Sequence, residues 1–329
     1  MFDDPAALTA HDAPQSLWNR LARQTPQPDP FCALTAWQLS FRDAMDPGRP
    51  YIVRYNEDGL VQFALHVLGT TPVLGPIERL WLFGCNVLGP AGPDLLEQLV
   101  DEIPAVSGNR CTRFGISGVD PEGVLALELR KRFEGRCSIL LLREDVQGAA
   151  SLVGGLDGFL SRRSPSFRRN LRNSERRATN VGVQFERHCP TTPDESDAVF
   201  RRMITVEQKS WKAGGGMDEG FSSVFYAAML RRLSASRDGR VVLATRDGED
   251  VGFIFGGMID AIYRGQQFSF ADACRDLSLG NLLQREMIAW LCEQGAERYD
   301  LGPARGPFMD YKASWAELEF PMESWVLSV

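Results

Sequence analysis

The chain has 329 residues, of which 44% are hydrophobic and 24% are charged, and its formal net charge is −7. These values are typical of a globular protein with one or two domains, and they exclude a disordered tail, a collagen-like chain and a coiled coil. The negative net charge also excludes a polycation of the kind that coats nucleic acid.

The cysteine and histidine positions bear on redox environment and metal binding. Seven cysteines are scattered without a CxxC pair, which is typical of free thiols rather than of a disulfide framework. The three histidines lack metal-ligand spacing, so we expect no metal site. The first residues lack the basic start of a signal peptide, and no apolar run approaches the ~18 residues that span a bilayer. We therefore expect a cytoplasmic protein without a membrane span.

The first half of the chain predicts helices followed by strands. The helices are expected near 14–24 and 34–44, and the strands at 51–55, 60–68 and 79–84. The sequence NEDG at 56–59 predicts a hairpin turn between the first two strands. A helix near 93–103, a strand at 112–117, a helix near 121–133 and a strand at 138–143 complete this half.

The second half repeats that order after a glycine-rich joint, VGGLDG at 153–158. It predicts a basic helix near 165–179, a strand at 183–188, helices near 194–212 and 219–236, strands at 240–246, 251–259 and 262–271, a helix at 281–294, and strands at 297–301 and 324–329. The sequence RDGED at 246–250 predicts the turn between the strands at 240–246 and 251–259. Two passes through one order predict a tandem α/β fold, with mixed central sheets flanked by helices. The expected domains are 1–152 and 153–329.

A short turn between strand 262–271 and helix 281–294 is the first candidate site. The turn reads SLGN at 278–281, and Gly280 would allow a ligand to approach the backbone closely. Unpaired N–H groups at a helix N-terminus suit a phosphate or pyrophosphate. The candidate donor-binding residues are Ser278, Leu279, Gly280, Asn281 and Leu282. The alternative is an ordinary strand-to-helix connection that carries one glycine.

The segment 161–188 is strongly basic, with eight arginines against two glutamates. This segregated charge predicts a phosphate-binding face on the basic helix, since arginine pairs well with phosphate. The residues of that face are Arg168, Arg169, Arg172, Arg176 and Arg177. The alternative is a solvated face beside acidic surface.

Two loops carry further candidates. EQKSWKAGGG at 207–216 ends a helix and continues into three glycines, and it predicts either a flap that brings Trp211 and Lys212 to a substrate or a plain helix end. The loop after the strand at 297–301 contains Arg305, and Trp315 follows it. Loops at the carboxyl ends of strands collect ligand groups in α/β folds, so we expect these two side chains to bind substrate. The alternative is a core tryptophan in an ordinary loop.

Together these stretches resemble the GNAT acyltransferase superfamily, and more closely its CelD-like branch, which is related to the FemABX aminoacyl-transferases. The resemblance is carried by SPSFRRNLRNSERRATNVGVQFER, EQKSWKAGGG, FSFADACRDLSLGNLLQREMIAWLCEQGAERYDLG and MDYKASWAELEF. It is strong over about 160–329, while the first half matches in element order as a degenerate copy. It implies tandem GNAT-like domains, with the C-terminal one active.

The resemblance implies transfer of an acyl group, with acetyl as the expected one, from acyl-CoA to an amine of a small molecule or sugar by direct attack. Tyr311 would then protonate the leaving thiolate, and Lys312 would bind an anionic group of the acceptor or stabilise developing negative charge. Asp272, just beyond strand 262–271, is the candidate for the proton of the amine.

The turn SLGNLL departs from the family's loop, Gln/Arg-x-x-Gly-x-Gly/Ala, because it keeps one glycine. Aminoacyl-tRNA therefore stays an alternative donor, as in the FemABX enzymes, and tRNA an alternative partner. A third hypothesis is a catalytically silent binding protein with this fold.

Overall fold

The computed structural model describes residues 13–45, 47–49, 51–68, 70–79, 81–107, 111–306 and 309–329. The helices are α1 (Gln15–Gln24), α2 (Thr35–Met45), α3 (Gly92–Val106), α4 (Val124–Phe133), α5 (Gly155–Ser161), α6 (Pro165–Asn180), α7 (Pro193–Glu207), α8 (Gly220–Ser236) and α9 (Leu279–Glu293). The strands are β1 (Tyr51–Asn56), β2 (Gly59–Leu68), β3 (Thr71–Gly75), β4 (Val87–Leu88), β5 (Arg113–Val119), β6 (Ser138–Ser151), β7 (Gln184–His188), β8 (Gly239–Arg246), β9 (Glu249–Ile259), β10 (Ile262–Phe270), β11 (Arg298–Pro303) and β12 (Leu318–Ser328). Short 3₁₀ helices cover Pro30–Ala33, Asp272–Leu277 and Asp310–Ser314.

The chain forms two compact units. Unit 1 contains residues 1–147 and 320–329, and unit 2 contains residues 148–319. The sequence-based boundary at 152 and 153 differs from this division mainly at the C-terminus. Most of β12 belongs to unit 1 because it pairs antiparallel with β5, with Trp325 opposite Ile116. Hydrophobic pattern alone gives no information on such a long-range pairing.

Unit 1 begins with helices α1 and α2, continues with an antiparallel meander, and then has a parallel strand that follows α3. Strands β1, β2 and β3 pair antiparallel in sequence order. The expected turn between β1 and β2 is present, with Asn56 opposite Gly59 and the Asn56 side chain accepting a hydrogen bond from the Asp58 amide at 2.9 Å. After α3, strand β5 lies parallel to β3, and the two meet at Leu74 and Phe114.

The predicted strand at 79–84 is wrong. Its described residues form turns and irregular chain, in which Arg79 and Leu82 have φ values of 52° and 60°. A strand needs negative φ throughout. The segment bends around the buried carboxylate of Glu78, which accepts a hydrogen bond from the Gly84 amide at 2.6 Å and one from the Trp37 indole. The apolar run packs against Trp37 rather than forming a strand.

Unit 2 repeats the order of unit 1, which confirms the tandem fold. Helices α7 and α8 precede the antiparallel meander of β8, β9 and β10, and after α9 strand β11 lies parallel to β10. The expected turn between β8 and β9 is present. Asp247 and Gly248 both have positive φ, 53° and 79°, which is the geometry of a type I′ hairpin turn. Strand β7 is antiparallel to β8.

The core of unit 2 includes a tryptophan that the sequence suggested as a substrate-binding residue. Trp315 is 1% exposed. Its ring stacks on Phe159 at 6.0 Å between centroids, and Phe167 meets it edge-on at 5.0 Å. These contacts join α5 and α6 to the chain that precedes β12. They make Trp315 a packing residue.

We expect Trp315→Ala to destabilise unit 2 by about 3–5 kcal/mol, because it removes a large buried ring and leaves a cavity. The free energy of unfolding is measured by urea denaturation, and amide hydrogen exchange shows whether the loss of stability lies in unit 2. Trp211→Ala is the matched control, since Trp211 is 54% exposed and its removal leaves no cavity. Equal stabilities of the two variants would contradict this assignment of Trp315 to the core.

Candidate functional site

A pocket of about 420 Å³ lies in unit 2 where two parallel strands separate. Strands β10 and β11 pair over only three positions, from Ile262 opposite Arg298 to Arg264 opposite Asp300. Beyond that point Gly265–Phe268 and Leu301 line the pocket. The ladder between β10 and β9 also shifts register between Gly265 and Gln267, and such a bulge redirects side chains.

Two predicted catalytic residues reach this pocket from the 3₁₀ helix Asp310–Ser314. Lys312 is 6% exposed, and its Nζ donates a hydrogen bond to the Pro303 carbonyl at 2.8 Å. Burial, with the nearby Arg264 guanidinium, lowers the pKa of Lys312 to about 7. Tyr311 packs edge-on against Phe268, 5.5 Å between ring centroids. Loss of water raises the pKa of Tyr311 to about 12.

Trp211 and Lys212 line the same pocket from the loop after α7. The Lys212 Nζ donates hydrogen bonds to the Phe268 carbonyl at 2.7 Å and to Gln267 Oε1 at 3.2 Å. It also lies 5.6 Å from the centroid of the Trp211 ring and 5.4 Å from that of Phe268. Burial lowers the pKa of Lys212, while the charge of Glu207 opposes that shift. The loop therefore holds a cation against the pocket.

Gln266 is a site residue that sequence reasoning missed. It lies at the bulge of β10 and lines the pocket, and its Nε2 is buried without a hydrogen-bond partner among the described residues. A buried amide donor without a partner is costly unless a ligand or water accepts its hydrogen bond. Nothing in the pattern IYRGQQFSF distinguishes this glutamine from its neighbour, since only the bulge decides which way each points.

A second, polar pocket of about 300 Å³ is lined by residues of both predicted phosphate-binding segments. Ser278 and Asn281 at the start of α9 line it together with Asn170, Asn173 and Arg177 of α6. Ser278 has a φ of 56°, and the Asn281 amide bonds back to the Ser278 carbonyl at 3.0 Å. The structure thus places one arginine of the basic helix beside the predicted turn.

The remaining candidate donor-binding residues, Leu279, Gly280 and Leu282, have packing roles. Leu279 and Leu282 lie in the core of unit 2. Gly280 packs directly against the β10 aromatics, since a Cβ there would come within 2.9 Å of the Phe268 ring. A larger residue at 280 would therefore displace Phe268, which lines the 420 Å³ pocket.

Several predicted site residues lie elsewhere. Asp272 is exposed and forms an ion pair with Arg275 at 2.8 Å, so the structure does not bring it into the pocket. Arg305 is exposed outside both pockets. Four arginines of α6 also lie outside the polar pocket, and none of the five forms an ion pair within the described chain. These four are Arg168, Arg169, Arg172 and Arg176.

The described residues contain no group of three or more His, Cys, Asp or Glu side chains placed to hold a metal ion. None of their helices combines the length and the apolar character needed to cross a membrane.

Comparison with known proteins identifies the fold around the pocket. Residues 165–313 match the family model described as an acetyltransferase (GNAT) domain. No curated protein matches the sequence significantly.

Solved structures extend the similarity to nearly the whole chain. FemX is 12% identical, with a TM-score of 0.66 over 95% of this chain and 96% of FemX. The C-terminal domain of a putative lysylphosphatidylglycerol synthetase from Agrobacterium fabrum is 14% identical, with a TM-score of 0.59 over 98% of this chain and 92% of that domain. A conserved protein of unknown function from Bacteroides thetaiotaomicron is 13% identical, with a TM-score of 0.61 over 97% of this chain and 98% of that protein. Residues 165–313 are therefore similar to a GNAT acetyltransferase domain, which supports an acyltransferase, and the fold of the chain is related to that of FemX.

Proposed function

We propose that unit 2 transfers an acyl group, with acetyl as the expected one, from acyl-CoA to an amine of a small molecule or sugar, as in the CelD-like branch. The observation that carries the proposal is the pair of Lys312 and Tyr311 in the pocket between β10 and β11. Burial shifts their pKa values in opposite directions, to about 7 and about 12. Such a divergence separates a base from an acid at neutral pH.

The lysine supplies the base that the reaction needs. Among the described residues that line the pocket there is no carboxylate and no histidine. The neutral form of Lys312 takes a proton from the acceptor amine as its nitrogen bonds to the thioester carbonyl carbon. Lys312 therefore takes the role that the sequence suggested for Asp272.

The other side chains complete the transfer. Gln266 Nε2 donates a hydrogen bond to the oxyanion of the tetrahedral intermediate, which is the partner that this buried amide lacks. Tyr311 is protonated at neutral pH, since its pKa of about 12 lies far above 7, and it donates its proton to the sulfur as the carbon–sulfur bond breaks. Amide and free thiol are the products, and the proton on Lys312 returns through solvent to Tyr311.

The polar pocket is the proposed site for the phosphates of the donor. Arg177 supplies a positive charge, while Asn281, Asn170 and Ser278 supply hydrogen bonds. Charge-assisted hydrogen bonds of this kind are the strong ones in phosphate recognition.

Aminoacyl-tRNA is the second candidate donor, and a specific observation supports it. Four arginines of α6 face outward without ion pairs in the described chain, and a row of such arginines suits a nucleic-acid backbone. The similarity to FemX and to a lysylphosphatidylglycerol synthetase domain also supports an aminoacyl group.

Unit 1 is proposed to be a degenerate copy of the active unit. It has the same strand order, but between its parallel strands β3 and β5 the Asn86 side chain bonds to the Ser117 amide and the Gly115 carbonyl. We also propose a cytoplasmic location, which the seven free cysteines support.

The first prediction concerns the pH dependence of transfer. We expect kcat/KM for a reactive amine to rise with pH through about 7, since Lys312 is charged below that value and neutral above it. Lys312→Met should remove this rise and lower kcat by at least about tenfold. Tyr311→Phe should also lower kcat by at least about tenfold. Thiol release from acetyl-CoA with a panel of primary amines measures both.

Two controls accompany this measurement. Asp272→Asn should leave turnover unchanged, because Asp272 lies in a surface ion pair. The chain has only four lysines, so NMR of ¹³C-labelled lysine also reports the Lys312 titration, assigned by its loss in Lys312→Arg. Unchanged kinetics in Lys312→Met, or a Lys312 midpoint near that of a free lysine, would refute its role as the base.

The second prediction distinguishes the two donors. Arg177→Glu should weaken coenzyme A binding by about tenfold or more, because it places a negative charge in the polar pocket. Arg169→Glu is the matched control on the same helix, outside the pocket, and should leave the Kd within about twofold. Isothermal titration with coenzyme A and, separately, with tRNA measures the effect. Strong tRNA binding weakened by both variants, without coenzyme A binding, would favour aminoacyl-tRNA.

A further inference from the structure

The described side chains that line the 420 Å³ pocket include positive charges but no negative one. Lys212 and Lys312 both line it, and none of the other described lining residues is acidic. The two lysines approach from different segments, the loop after α7 and the 3₁₀ helix Asp310–Ser314. Neither lysine has a carboxylate at ion-pair distance among the described residues, although the charge of Glu207 acts on Lys212 from outside the pocket lining. A ligand with a compensating negative charge would therefore be favoured in this pocket.

Lys212 has the means to hold such a group. An ammonium has three protons to donate, and Lys212 uses two of them on neutral oxygens, the Phe268 carbonyl and Gln267 Oε1. The described chain offers it no ion pair within 4.0 Å. One donor of Lys212 is therefore left for a ligand.

The surroundings of Lys212 fix the position of its charge. The Trp211 and Phe268 rings lie within 5.6 Å of Nζ, at cation–π distance. The carboxylate of Glu207 is fully buried, accepts a hydrogen bond from the Met217 amide at 3.0 Å, and favours the charged form of Lys212. Lys212 is thus a positioned cation rather than a solvated side chain.

The two lysines then have different roles, with Lys312 as the base and Lys212 as the group that binds a negative charge. If Lys312 acts as the neutral base, Lys212 is the charged side chain left among the described residues that line the pocket. Its one remaining donor suits a single carboxylate, because the buried Glu207 carboxylate already offsets part of its charge and a phosphate dianion would add more repulsion. The pocket volume of about 420 Å³ is at the small end of ligand sites, which suits a compact acceptor.

We propose that the acceptor is an amino acid, whose carboxylate binds the Lys212 ammonium while its amine faces Lys312. This inference rests on the proposed function, since it takes the pocket between β10 and β11 as the place of transfer. It narrows the acceptor from any amine to one with a carboxylate on the same small molecule. It also gives Lys212 a role in specificity, separate from proton transfer.

The experiment compares amino acids with their carboxamides, which keep the amine and lose the negative charge. Thiol release from acetyl-CoA is measured for each matched pair. We expect the best amino acid to exceed its carboxamide at least about tenfold in kcat/KM. Lys212→Met should abolish this preference chiefly through KM, and Lys212→Arg should retain it. A carboxamide used as well as its amino acid, or a preference that persists in Lys212→Met, would overturn the inference.

A binding measurement separates this inference from the proposed function. N-acetyl amino acids and their carboxamides, the corresponding products, are titrated by NMR without a donor, against the wild type and both Lys212 variants. Carboxylate binding that depends on Lys212, without thiol release from any amine, would refute the proposed function and keep the ligand class. If no N-acetyl amino acid binds better than its carboxamide, the ligand class is wrong whatever the thiol assay shows.

Discussion

The site of this protein depends on the early separation of two parallel strands. Strands β10 and β11 share only three residue pairs, and their pairing ends at Arg264 and Asp300. Backbone groups beyond that point have no ladder partner on the other strand, so the space between them must be filled or remain open. In unit 2 it remains open and forms the pocket that Gly265–Phe268 and Leu301 line.

The same opening sets the electrostatics of the site. Lys312 and Lys212 enter it with backbone or amide carbonyls as partners, at Pro303, Phe268 and Gln267. A carbonyl accepts a hydrogen bond from an ammonium but does not neutralise its charge, so burial lowers the pKa of both lysines. The same loss of water raises the pKa of Tyr311. A pocket whose described lining residues include no carboxylate therefore shifts the pKa of the lysines downward and that of the tyrosine upward.

Local patterns in the sequence predicted the parts of the structure that local chemistry determines. The turns NEDG and RDGED contain residues that tolerate hairpin geometry. The basic helix expected near 165–179 is α6, and the Ser164 hydroxyl before it accepts a hydrogen bond from the Phe167 amide at 3.1 Å. Trp211, Lys212, Tyr311 and Lys312 were all expected at a site, and all four line one pocket.

The predictions that were wrong concern segments whose structure depends on long-range contacts. The apolar run at 79–84 bends around Glu78, and Asp272 pairs with Arg275. Trp315 packs between two rings, and no local pattern distinguishes such a core tryptophan from one at a ligand.

The repeated topology explains why one unit is proposed to be active and the other not. In unit 1 the parallel strands β3 and β5 separate even earlier, after the single pair of Leu74 and Phe114. There the gap is filled from within the chain. The Asn86 side chain accepts a hydrogen bond from the Ser117 amide at 3.1 Å and donates one to the Gly115 carbonyl at 3.0 Å.

These two bonds give the Ser117 amide and the Gly115 carbonyl of β5 the hydrogen-bond partners that a neighbouring strand would supply. Pro76 also packs against Gly115, where a Cβ would come within 3.2 Å of the proline ring. One fold thus meets the same geometric problem in two ways. Side-chain hydrogen bonds close the gap in unit 1, whereas in unit 2 the strands leave open the pocket that Lys212 and Lys312 line.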